Sequence, residues 1–138
     1  MCIRDRDLPL NLTKYLLKFA NSSIDVSDGL IDDLAKMINR QTLSFHLFEN
    51  KIPISNKLRI FIKKQRLNKI NLISNGDDYQ VLFTAGINKA RIIKNASKST
   101  GIKITKIGKI VSGKDRSLIF DVKGKQIQAK SKGYIHRF

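Results

Sequence analysis

The sequence predicts one α/β domain, with helices packed on a mixed or largely antiparallel sheet. Three observations predict it: an apolar stripe of helical period from Leu30 to Ile38, short strand-like segments including the alternating one at 41–49, and glycine-containing turns between elements. A chain of 138 residues is long enough for one core and short for two separate ones. With 41% hydrophobic and 28% charged residues, a wholly disordered chain is excluded.

Residues 1–7 carry no periodicity and are expected to be a non-homologous or disordered start, which leaves 8–138 as the domain. Pro9 suits a helix entrance, and Leu16, Leu17 and Phe19 among Lys14 and Lys18 predict a short helix within 8–21. Ser22 to Val26 reads as a brief extended approach. Ser27-Asp28-Gly29 then offers oxygens suited to capping a helix. In that helix Leu30, Ile31, Leu34, Met37 and Ile38 form one stripe, Asp32 and Asp33 lie in the first turn, and Lys36 and Arg40 suit the far end.

Leu43, Phe45 and Leu47 alternate with Ser44 and His46, which predicts a strand over 41–49, and Pro53 marks the following loop. Residues 57–67 mix five basic residues with Leu58, Ile60, Phe61, Ile62 and Leu67, the pattern of a surface helix. A turn at Asn75-Gly76-Asp77-Asp78 precedes a strand over 79–84. Residues 87–99 read as a helix ended by Gly101, and 102–111 and 118–122 as strands, with Gly113 and Gly124 at turns. Leu30, Leu34, Met37, Ile38, Leu82, Ile107 and Ile110 are the expected core.

The single cysteine, Cys2, excludes an intramolecular disulfide and suits a reducing cytoplasm. No apolar run approaches the roughly 18 residues of a membrane span, and the start lacks the hydrophobic region of a secretory signal. Lys and Arg outnumber Asp and Glu by 27 to 11, a net charge of +16. That balance raises the alternative of a basic nucleic-acid-binding module, on Lys63-Lys64-Gln65-Arg66 and lysines 103, 106, 109, 125, 130 and 132. Against it, the basic residues are spread along the chain, and neither an RNA-binding aromatic signature nor a zinc pattern occurs.

The scarce acids are more informative. Asp25, Asp28, Asp32 and Asp33 fall within nine positions, and Asp77 and Asp78 are adjacent. Grouped carboxylates repel one another, and a divalent cation offsets that repulsion. Asp25-Val26-Ser27-Asp28-Gly29 sets two carboxylates and a hydroxyl at a helix mouth, where main-chain N–H groups and the dipole favour phosphate. Hard oxygens beside phosphate are what Mg²⁺ takes. Spacing alone leaves two readings open, a metal site or plain helix capping, and capping is the commoner use of these residues. Asp77-Asp78 alone is likewise more often a turn than a ligand.

Taken together, the segments resemble a known family. Asp25-Val26-Ser27-Asp28-Gly29-Leu30 resembles the Asp-x-Ser-Asp-Gly-Leu motif of thiamine-monophosphate kinase, and Asn75-Gly76-Asp77-Asp78-Tyr79-Gln80-Val81-Leu82-Phe83-Thr84 resembles its Gly-Gly-Glu-Asp-Tyr-Glu-Leu-Leu-Phe-Thr segment. Ile107-Gly108-Lys109-Ile110 is similar to its Ile-Gly-x-Ile strand, and Gly133-Tyr134-Ile135-His136-Arg137-Phe138 to its Gly-aromatic-x-His-Phe ending. The departures are Asn75 for Gly, Asp77 and Gln80 for Glu, and Arg137 before the final Phe138.

The resemblance covers the C-terminal half of that family. It implies the C-terminal α/β fold of the aminoimidazole ribonucleotide synthetase type, partly ferredoxin-like, a superfamily that also includes selenophosphate synthetase. Those relatives carry Thr-Gly-rich sequence where this chain has Ser27-Asp28-Gly29-Leu30. It further implies transfer of the γ-phosphoryl group of ATP to thiamine monophosphate, giving thiamine diphosphate.

By the same resemblance Asp25 and Asp28 are expected to ligate Mg²⁺, Ser27 to contact nucleotide phosphates, Asp77 to bind substrate and Tyr134 to pack on the thiamine. Packing a C-terminal strand is the other reading for Tyr134 and the expected one for His136 and Phe138. The family's N-terminal domain, which supplies most metal-binding aspartates and the usual homodimer interface, is expected to be absent from this chain, so that the chain alone is inactive. A folded domain without chemistry of its own is the second alternative.

Overall fold

The computed structural model describes residues 10–38, 42–73, 80–114 and 116–127. In chain order the elements are α1 (Leu10–Phe19), β1 (Ala20–Asp25), α2 (Leu30–Ile38), β2 (Leu43–Phe48), α3 (Asn56–Gln65), α4 (Lys69–Ile73), β3 (Val81–Ala85), α5 (Ala90–Thr100), β4 (Gly108–Ser112), β5 (Leu118–Phe120) and β6 (Gln126–Ile127). Short 3-10 turns at Glu49–Lys51 and Ile87–Lys89 lead out of β2 and into α5. The predicted α/β class holds. Among these elements none is a helix long and apolar enough to cross a membrane.

The single core expected from chain length is replaced by two. The described residues of 10–22 and 83–104 form one compact unit, and those of 23–82 and 105–127 a second. In the first, Leu12, Phe19 and Ala96 are buried, with Tyr15, Leu16, Phe83, Ile93, Ile102 and Ile104 packed around them. Phe19 and Phe83 meet at 5.2 Å between ring centroids. With only three fully buried side chains this cluster is small, which is how a chain of this length accommodates it. Gly101 ends α5 at φ 69°, a left-handed position that glycine adopts without a Cβ clash. The Ser97 hydroxyl donates to the Ile102 carbonyl at 2.7 Å and fixes the exit.

The second unit is built on a four-stranded sheet in the order β4-β2-β5-β6. β2 runs antiparallel to β4, with Leu43 opposite Ser112 and Leu47 opposite Gly108, and parallel to β5, with Leu47 opposite Ile119. A Cβ at Gly108 would collide with the His46 carbonyl oxygen, so the close β2–β4 approach requires glycine there. Ser44, buried in β2, donates its hydroxyl to the Gly113 carbonyl at 2.6 Å and accepts the Arg116 N–H at 2.9 Å, which secures the turn after β4.

Val26, Leu30, Leu34, Ile38, Phe45, Leu47, Ile52, Ile70 and Ile119 make the core. Met37, Leu82, Ile107 and Ile110, expected inside, pack against it from partly exposed positions. α3 buries no residue, as a surface helix should, and Ile60 remains 59% exposed. The strand expected over 102–111 is regular only from Gly108, and α4 and β6 were not expected. Lys69, at the start of α4, donates to the Glu49 and Ile52 carbonyls at 2.7 Å each. Burial pushes its ammonium pKa down, with Glu49 opposing and Arg59 adding to the shift.

Candidate functional site

The chain leaves β1 at Asp25, whose side chain lies on the exposed side of an alternating strand. Val26 then turns into the core at 3% exposure, and its N–H donates to the Gln80 carbonyl at 2.8 Å. Gly29 adopts φ 127°, open to glycine and strained for other residues, and lets the chain swing into α2. Ser27 and Asp28 are half-buried at the resulting turn. Asp25, Ser27 and Asp28 therefore sit on one short connection, as their spacing predicted. Asp77 and Tyr134, expected to bind the substrate, lie outside the described residues. Gln80, three positions after Asp77, is the described residue that meets the turn.

The carboxylate that organises the turn is a different one. Asp33, in the first turn of α2 and 1% exposed, reaches back so that its Oδ2 accepts the N–H groups of Ser27, Asp28 and Gly29 at 2.9, 3.0 and 3.3 Å. Its own N–H donates to the Gly29 carbonyl at 3.0 Å. Its Oδ1 accepts from Lys36 Nζ at 2.8 Å, and the same ammonium also donates to Asp28 Oδ2. Burial alone would raise the Asp33 pKa. The Lys36 hydrogen bond and the amides of Asp28 and Ser27 outweigh it and hold the group below the ordinary carboxylate value. The bonds to Asp28 and Asp33 push the Lys36 pKa well up, so the ammonium stays charged at any pH of interest.

At the helix mouth Asp33 occupies the amides of residues 27–29 with a negative charge at the positive end of the helix. Asp33 lies in the first turn of the helix, as expected, and is buried there. The spacing of Asp33 and Lys36 at i and i+3 was a visible sign of their pairing, whereas the burial that makes it important was not.

Any ligand taken up here meets side chains, with Asp25 open to solvent and Asp28 paired to Lys36. Carboxylate oxygens are the donor type that Mg²⁺ prefers, so Asp25 and Asp28 fit it in kind. Among the described residues, however, no group of three or more His, Cys, Asp or Glu side chains is placed to hold a metal ion. The basic side chains Lys63, Lys64, Arg66, Lys103, Lys106, Lys109 and Lys125 are all exposed.

No protein-family model matches the chain. Individual proteins do. It is 38% identical over 125 residues to a thiamine-monophosphate kinase of Buchnera aphidicola subsp. Acyrthosiphon pisum, a match covering 88% of this chain and 37% of that protein. It is 36% identical over 76 residues to the thiamine-monophosphate kinase of Aquifex aeolicus, covering 54% of this chain and 25% of that one. Among solved structures, AaThiL complexed with AMPPCP and TMP superposes with a TM-score of 0.65 at 29% identity, over 92% of this chain and 37% of that one. E. coli HypE superposes at a TM-score of 0.66 with 12% identity, which shows a shared fold. The chain spans about a third of the length of the relatives it matches.

Proposed function

From its kinship with thiamine-monophosphate kinases over nearly nine tenths of its length, we propose that this chain carries part of the active site of such a kinase. The reaction is transfer of the γ-phosphoryl group of ATP to the phosphate of thiamine monophosphate. Both partners are anions, and catalysis rests on positioning and on neutralising charge, with no covalent enzyme intermediate needed.

In this reading Asp25 and Asp28 hold Mg²⁺, Ser27 contacts the nucleotide phosphates, Asp77 takes the substrate and Tyr134 stacks on the cationic thiamine ring. Mg²⁺, when bound, supplies the charge neutralisation that two approaching phosphates need. The chain's own part is to hold Asp25, Ser27 and Asp28 on one turn, fixed from beneath by Asp33. The remaining ligands and a homodimer interface belong to the family's N-terminal domain, and the site of action is the cytoplasm.

The observation that carries the reading is the 38% identity to a thiamine-monophosphate kinase over 125 residues, and the Val26–Gln80 hydrogen bond, which ties the turn bearing Asp28 to the residue three places beyond Asp77, is in keeping with it. The relative that superposes over 92% of this chain was complexed with AMPPCP and TMP, a pair of ligands in keeping with it.

In a protein extended by the N-terminal domain of the family, Asp25→Asn and Asp28→Asn should each slow ATP-dependent thiamine diphosphate formation about a hundredfold while leaving the melting temperature nearly unchanged. Chromatographic separation of thiamine monophosphate from thiamine diphosphate reads the rate. The 138-residue chain alone should show no turnover. Undiminished rates in both variants would remove these carboxylates from the mechanism.

A further inference from the structure

α3 buries no residue, and its inner side rests on Leu58 and Ile62, one turn apart and half-buried. Its outer side holds two adjacent apolar residues in water, Ile60 at 59% and Phe61 at 49% exposure. Helical spacing surrounds them with cations. Lys57 and Lys64 each lie three or four positions from both, and Lys63 lies three positions from Ile60. Arg59 and Arg66 add two more charges, and all five bases are exposed. Among the described residues none of the five is ion-paired. From Lys51 to Ile73 the chain carries seven bases and no acid. The other two are engaged elsewhere, Lys51 over the Phe48 ring at 4.7 Å and Lys69 on the Glu49 and Ile52 carbonyls.

We propose that the outer face of α3 docks on an anionic lipid surface, with Ile60 and Phe61 at the acyl boundary and Lys57, Lys63 and Lys64 on lipid phosphates. A single exposed apolar residue is ordinary, but an adjacent pair enclosed by unpaired cations matches the layering of a headgroup region, charge outside and hydrocarbon beneath. Lysine stems reach along the apolar surface while their ammonium groups stay at the phosphates. Charge complementarity alone would suit any polyanion, nucleic acid included. The apolar pair favours lipid, since a phosphodiester backbone takes the bases and leaves Ile60 in water. A helix of ten residues lies on such a surface and does not span it. The cytoplasmic leaflet carries the negative charge that this face requires.

The test is co-sedimentation of the 138-residue chain with vesicles of phosphatidylcholine containing roughly one-third phosphatidylglycerol, against vesicles of phosphatidylcholine alone, at about 0.1 M salt. The chain should bind the anionic vesicles and leave the neutral ones. Lys63→Gln with Lys64→Gln should weaken binding roughly twentyfold, about fivefold for each charge lost near the surface. Ile60→Ser with Phe61→Ser, which keeps every charge, should weaken it about tenfold or more. Lys94→Gln with Lys98→Gln removes the same charge from exposed positions on α5 and should change it by less than about twofold. These side chains are exposed, so the variants keep the fold, which unchanged circular dichroism and melting temperature verify.

Failure to bind anionic vesicles would overturn the proposal. Equal weakening by the α5 pair would assign binding to the net charge of +16 and overturn it too. A third result against it is full binding by the Ile60→Ser, Phe61→Ser variant together with capture of a random single-stranded oligonucleotide that the Lys63, Lys64 substitutions abolish. That outcome would give the face to nucleic acid.

Discussion

Two helices of similar length begin in different ways. α3 takes an ordinary cap: Ser55, in extended conformation at φ −64° and ψ 154°, accepts the Leu58 N–H on its hydroxyl at 3.1 Å, in solvent. α2 is capped from inside, because Asp33 turns back from the first turn and gathers three loop amides on one buried oxygen. The Ser55 bond secures only the helix start. The Asp33 carboxylate secures the helix, the turn before it and the side chains that the turn displays, and α2 also buries Leu30, Leu34 and Ile38 where α3 buries nothing. A connection that must present Asp25, Ser27 and Asp28 in fixed relation needs a cap of the second kind.

The sharpest way to break this comparison is Asp33→Ala. Three amide donors and an ammonium lose their acceptor at a buried position, and stability should fall by about 4 kcal/mol at neutral pH. Denaturant midpoints at unchanged slope measure it. The pH dependence follows from the shift. Burial raises the Asp33 pKa, but Lys36 and the amides of Asp28 and Ser27 bring it below the ordinary value, so the folded state binds this proton less readily than the unfolded chain. The stabilisation is complete above the ordinary carboxylate value of about 3.9 and is lost as pH falls through the lower folded value. Lys36 and Asp28 are the charged groups facing Asp33, and Lys36 stays protonated throughout. The gap between wild type and variant should be level from pH 7 to about 5 and narrow in stronger acid.

The same contrast shows how much of the molecule its sequence displays. The stripe through Leu30, Leu34 and Ile38 announced α2, the five bases around Ile60 and Phe61 announced a surface helix, and Gly101 marked the end of α5. The turn holding Asp25, Ser27 and Asp28 was legible because its residue types and spacing are local. What escaped depends on depth. α4 is five residues long, too short for a period to register, yet Ile70 within it is fully buried. β6 is a two-residue strand that exists because β5 lies beside it. The division into two cores follows from which apolar residues meet in space, and composition does not report that. Asp33 stood in plain view as one acid among four, and only its burial separates it from Asp32 beside it.

A second pair of substitutions sharpens the comparison at the level of packing. Truncating Leu34, buried in the core, to alanine should cost about 3 kcal/mol, from lost transfer energy and the cavity left in the cluster. Ile60, on α3, should change stability by no more than about 0.5 kcal/mol in the same substitution, since it leaves no cavity. Thermal melts of the two variants side by side decide it. A comparable loss at Ile60 would mean that α3 packs on something in solution and is not a free surface helix.

The smallest expected effect is at the ordinary cap. Ser55→Ala removes one acceptor for one N–H at a solvent-exposed helix start, where water replaces the hydroxyl, so about 1 kcal/mol should be lost. Ser55→Asp should recover it and add a few tenths, because α3 has no acidic residue in its first turn while Lys63 and Lys64 already complement the dipole in its last. Neither change should alter exchange protection of the amides at 27–29, which depend on Asp33. The hydrogen-exchange rate of those three amides is therefore the measurement that separates the two caps. It should rise sharply in Asp33→Ala and stay constant in Ser55→Ala, and a rise in both would show that the two helix entrances unfold as one unit.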